Sequence, residues 1–92
     1  MEWMKMKLNF NTLQAEQLRR TREKYGRQSS LHEGYAILLE EVEEFWDEVK
    51  KKHSKRDPAA MLEELAQIAS CAQKTAEDLI IPIIEKGIPI IQ

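Results

Sequence analysis

Apolar residues recur along much of this chain at alternating steps of three and four, the spacing of one face of an α-helix. The clearest stretch carries Leu31, Tyr35, Leu38, Val42, Phe45 and Val49 as one stripe. Ser30-Leu31-His32-Glu33 stands at its start as a capping box, in which hydroxyl and carboxylate satisfy free backbone N–H groups. Asp47 with Lys51 and Glu48 with Lys52 are acid-first pairs four residues apart. Lys50, Lys51 and Lys52 complement the negative end of the helix. This pattern predicts a helix over about 30–53.

A first helix is predicted over about 12–25, capped by Asn11 or Thr12 and ended by Gly26. Its apolar face is thin, with Leu13, Ala15, Leu18 and Tyr25, and its polar face is basic at Arg19, Arg20, Arg22 and Lys24. Such a basic face reads first as solvated surface and second as a phosphate contact. A third helix is predicted over about 57–81. Asp57 caps it, Pro58 opens it, and Met61, Leu65, Ile68, Ala72 and Ala76 line one side. Pro82 should disrupt it near Ile81. The remaining tail, 82–92, is too rich in isoleucine to stay free of an apolar surface.

The expectation is therefore one all-α domain over 1–92, with three main helices. The chain has 92 residues, 42% hydrophobic and 33% charged, with only three Gly and three Pro, which suits one helical domain and not disorder. Three helices, one with a thin apolar face, close a core poorly. Two chains pairing through their second and third helices would complete a four-helix core, so a homodimer or a dimer of dimers is expected. The formal charge of −2 gives no electrostatic reason for nucleic acid as a partner. The longest apolar run, 79–84, is far short of the roughly 20 residues of a membrane span, and no targeting segment is visible. A single cysteine, Cys71, fits a reducing cytoplasm, and no adjacent base marks it as a nucleophile.

Six acids crowd between Glu40 and Glu48. Glu41 and Glu44 are three apart and border the apolar stripe, with Glu40 a turn below Glu44. Glu64 and Gln67 repeat that spacing on the third helix. If the two helices pack antiparallel, Glu41 and Glu44 face Glu64 and Gln67. Three carboxylates so close raise one another's pKa, and a divalent cation removes that repulsion. Oxygen ligands alone favour Mg²⁺ or Mn²⁺ over zinc. The same acids also admit a plain solvated face. A di-iron bundle is set aside, because its Glu-x-x-His pairs would need histidine where Glu44 and Gln67 stand.

Glu40-Glu41-Val42-Glu43-Glu44 matches the pattern EExxE, and Glu63-Glu64-Leu65-Ala66-Gln67 resembles the ExxD segment that follows it. On these motifs the chain resembles the MazG-like all-α nucleoside triphosphate pyrophosphohydrolases over about 31–78. The resemblance implies cleavage between the α- and β-phosphates to a monophosphate and pyrophosphate. It implies Glu41, Glu44 and Glu64 as Mg²⁺ ligands, with Gln67 in the fourth place, where the pattern has Asp. It makes Glu40 the group that positions or deprotonates the attacking water, Lys74 a phosphate contact and Tyr25 a base contact. An amide oxygen at Gln67 can ligate Mg²⁺ but brings no charge, so a binding or assembly module with this fold and little turnover is the alternative.

Overall fold

The computed structural model describes residues 8–87, all of whose regular elements are helical. Helix α1 spans Phe10–Tyr25, α2 spans Leu31–Lys50, α3 spans Pro58–Thr75 and a short α4 spans Ile81–Lys86. No helix among the described residues is long and apolar enough to cross a membrane. Much of the tail, 88–92, lies outside the described residues, and within them Ile83 and Ile84 belong to α4.

Local chemistry sets the ends. Helix α1 starts earlier than the apolar pattern suggests, because the Asn9 side chain accepts from the Thr12 amide at 3.2 Å. Gly26 stops it with φ at 67°, and its N–H donates to the Arg22 carbonyl. In the expected capping box the Ser30 hydroxyl accepts from the Glu33 amide at 3.1 Å. The Glu33 carboxylate instead accepts from the Ser29 hydroxyl at 2.6 Å. Helix α2 ends at Lys50, three residues short of expectation, where Arg56 donates from Nε and Nη2 to the Val49 carbonyl. Its lysines pair one residue closer than the four-residue pattern: Lys50 with Asp47 at 3.2 Å and Lys51 with Glu48 at 2.7 Å.

The regular α-helix is disrupted just before Pro82, as the sequence pattern suggests, but the helical path does not stop there. A π-helical turn, Ala76–Ile80, carries the path on into α4, and the Ile81 amide reaches five residues back to Ala76. Pro82 has no N–H for the carbonyl four residues before it, which belongs to Asp78. Arg27 fills that place, donating to the Asp78 carbonyl at 3.1 Å from Nε and 2.6 Å from Nη2.

Helix α3 is central. Helix α2 packs antiparallel on one side of it and α1 runs parallel on the other. Gly34 lets α2 come close to the end of α3: a Cβ there would meet Thr75 Oγ1 at 2.8 Å and Gln28 Oε1 at 2.9 Å. The fully buried apolar side chains among the described residues are only Ala66 and Cys71. The stripe of α2 splits: Leu31, Leu38, Phe45 and Val49 are half-buried, while Tyr35 and Val42 join Leu39 and Trp46 on an exposed face. Tyr35 and Trp46 are 65% and 54% exposed. Leu65 of the expected α3 stripe is exposed as well.

The buried interior is instead polar. Asp78, 5% exposed, accepts from Arg22 Nη1 at 2.7 Å, from the Gln28 amide at 2.9 Å and from Lys74 Nζ at 2.9 Å. Burial alone would raise its pKa, but these donors outweigh burial and hold it at about 2. A carboxyl depressed in the folded state stabilises fully above its ordinary value, and that contribution is lost as pH falls through about 2. Acid titration of stability should therefore show about 2 kcal/mol lost between pH 4 and pH 2. Asp78→Asn should remove that acid limb and cost roughly 3 kcal/mol at neutral pH, because Lys74 is left buried without its anion. Adding Lys74→Met should recover part of the loss; urea melts of the three proteins check the order.

Candidate functional site

The antiparallel packing of α2 on α3 brings Glu41 and Glu44 to Glu64. One carboxylate oxygen from each lies within 4.8 Å of the other two. Burial, then the charges of Glu44 and Glu64, push Glu41 up to about 7. Burial and the contact with Glu44 raise Glu64 as well. Glu64 Oε2 is buried with no hydrogen-bond partner, as is Glu48 Oε1. An oxygen-only cluster with an orphaned carboxylate oxygen fits a hard divalent cation such as Mg²⁺ or Mn²⁺.

The sequence spacing pairs Glu48 with Lys52, and in the structure it meets Lys51 instead. Its other oxygen faces inward, and its charge helps to raise Glu64. The signal was present in the sequence, since Glu41, Glu44 and Glu48 follow the three-and-four steps of one helical face.

Beside the cluster lies a groove of about 550 Å³. Helix α3 floors it with Gln67, Cys71 and Lys74, which recur at helical spacing. Glu33, Ile37, Glu40 and Glu41 of α2 form one wall. Arg20, Thr21, Lys24 and Tyr25 of α1, followed by Arg27 and Gln28, form the other. Glu40, Glu41, Gln67, Lys74 and Tyr25, placed by sequence on three different helices, thus line one space. Glu44 and Glu64 join it through Glu41.

Two of these residues carry less freedom than their sequence suggests. Lys74 is 3% exposed and its ammonium is already paired with Asp78, so most of its charge is neutralised before any phosphate arrives. Cys71 is buried on the groove floor, and burial together with Glu41 pushes its thiol up to about 11. It remains a neutral thiol and lines the groove as a small apolar group. Tyr25, by contrast, is 69% exposed, with Lys24 Nζ 5.1 Å from its ring centre.

The raised Glu41 pKa fixes a sign. A carboxyl whose pKa rises on folding stabilises most below its ordinary value of 4.5 and loses that contribution as pH rises through about 7. Without divalent cation, this group should make the protein less stable at pH 8 than at pH 5, by about 1 kcal/mol after solvent screening. Glu41→Gln should flatten that slope in thermal melts run with a chelator, and an unchanged slope would place its origin elsewhere.

No family model, curated protein or solved structure matches this chain, so its chemistry is read from the residues of the groove themselves.

Proposed function

We propose that this chain is a Mg²⁺-dependent nucleoside triphosphate pyrophosphohydrolase that works as a homo-oligomer. The observation that carries the reading is the meeting of Glu41, Glu44 and Glu64 within 4.8 Å at the edge of a groove large enough for a nucleotide. The resemblance of the EExxE and following Glu64 to Gln67 segment to MazG-like enzymes points the same way. Glu41, Glu44 and Glu64 would hold the cation, with Gln67 offering a neutral oxygen. A cation bound there supplies Lewis acidity toward a phosphoryl oxygen and neutralises its charge. Glu40, exposed on the groove wall, accepts the proton of the water whose oxygen attacks the α-phosphorus. The bond from that phosphorus to the bridging oxygen breaks, and pyrophosphate leaves.

Self-association rests on a separate observation. Tyr35, Leu39, Val42 and Trp46 follow four-, three- and four-residue steps along the exposed face of α2, while the chain's own apolar core is small. A second copy packed on this face would complete a four-helix core. Trp46→Glu should then convert an oligomer to a monomer in light scattering at micromolar concentration. A wild-type monomer under those conditions would remove this part of the reading.

The second reading is a binding or assembly module with little turnover. Gln67 and the neutralised Lys74 favour it, because both lower the charge available to a metal–phosphate complex. Pyrophosphate release from a panel of nucleoside triphosphates with Mg²⁺ separates the two. Gln67→Asp adds an anion at the cation and should tighten Mg²⁺ about tenfold, equivalent to about 1.4 kcal/mol. Glu64→Gln should abolish Mg²⁺ binding. Calorimetry showing equal Mg²⁺ affinity in all three proteins would mean that these helices do not hold the ion.

A further inference from the structure

The five cations between Arg19 and Arg27 are not equivalent once folded. Arg19 is held by Glu16 and Glu23 on the surface of α1. Arg20 lines the groove, but its Nε lies 3.1 Å from a Glu16 oxygen. Arg22 is consumed by Asp78 and Glu77. Lys24 and Arg27 differ: both line the groove, and neither takes part in any ion pair among the described residues.

Arg27 is also pre-oriented. Its guanidinium is bound through Nε and Nη2 to the Asp78 carbonyl, a neutral oxygen that fixes the fork without cancelling its charge. A positioned, uncompensated guanidinium is a strong site for a phosphoryl group. Lys24, one helical turn beyond Arg20, adds an exposed point charge on the same wall. The facing wall carries Glu40 and Glu41, so the groove is basic on one side and acidic on the other. Glu33, the remaining acid of the lining, is engaged by the Ser29 hydroxyl.

We infer that Lys24 and Arg27 bind the terminal phosphoryl groups of a linear polyphosphate whose inner phosphoryl group lies at the carboxylate cluster. This rests on the proposed function for the cluster and adds to it the residues that recognise the leaving pyrophosphate. With cations on one wall and the acid cluster at the other, a ligand with several phosphoryl groups is favoured over a monophosphate by charge placement. The role expected of Lys74 from the family resemblance passes to Lys24 and Arg27, which meet no carboxylate among the described residues.

Calorimetric titration of the full chain with sodium tripolyphosphate, with and without Mg²⁺, tests this. Lys24→Gln, an exposed substitution, should weaken tripolyphosphate binding about tenfold while leaving the affinity for Mg²⁺ alone unchanged. Arg27→Gln should weaken it at least as much, with circular dichroism used to confirm that the variant remains folded. Orthophosphate should bind far more weakly than tripolyphosphate and respond little to Lys24→Gln. Arg19→Gln, on a surface ion-pair network, controls for general loss of positive charge. An equal loss in the Arg19 and Lys24 variants would overturn the inference, as would wild-type affinity in Lys24→Gln or no tripolyphosphate binding at all. Tripolyphosphate binding that depends on Lys24, in a protein that does not bind Mg²⁺, would support the basic wall and remove the metal centre.

Discussion

The carboxylate of Asp78 is reached by Arg22 from α1, by the Gln28 amide from the turn before α2, and by Lys74 from α3. No other described side chain ties together as many parts of the chain. Its backbone matters as much as its side chain, since Pro82 leaves the Asp78 carbonyl without its helical donor and Arg27 replaces that donor twice. Among the described residues only Ala66 and Cys71 are buried apolar side chains, so the half-buried apolar contacts are joined by a second means of fixing the helix positions. A buried, fully satisfied charge network supplies it through directional bonds.

The helices themselves were largely legible, because their ends are written in short-range chemistry. Ser30, Asp57 with Pro58, and Gly26 each act within a few residues, so the sequence contains both donor and acceptor. The exceptions have long-range causes. The course of the chain past Pro82 depends on Arg27, 51 residues before the carbonyl it serves, and no local pattern encodes that contact. The single stripe read along α2 fails for a similar reason. Helix α3 touches α2 along a narrow face, so the residues at 35, 39, 42 and 46 are left outside, although their periodicity resembles that of a core.

In the candidate site, carboxylate spacing was readable because two helices with matched three-residue repeats have few ways to pack. Antiparallel pairing alone places Glu41 and Glu44 opposite Glu64. What could not be read was the partnering of the cations. Lys74 and Lys24 look alike in sequence, yet one is buried against Asp78 and the other stands on a groove wall without an ion pair. Arg27 lies in the turn between α1 and α2, outside any helical pattern, so no periodicity marks it. The inward oxygen of Glu48 was hidden behind the lysine pair to which its other oxygen belongs.

The two charge clusters on the third helical path act against each other. At Asp78 donors outnumber the anion and stabilise the fold, whereas at Glu41, Glu44 and Glu64 anions meet without donors and destabilise it. Repulsion among the three carboxylates favours a splaying of α2 from α3. One contact that resists it is at Gly34, where the missing Cβ lets α2 approach Thr75 and Gln28. Glu41 lies seven residues along α2 from that contact, about 10 Å at the rise of an α-helix. The Gln28 side chain accepts from Thr75 while its amide donates to Asp78, so the same residue links the close contact to the buried network. A proton on Glu41, whose pKa is pushed up to about 7, relieves part of the repulsion among the three carboxylates.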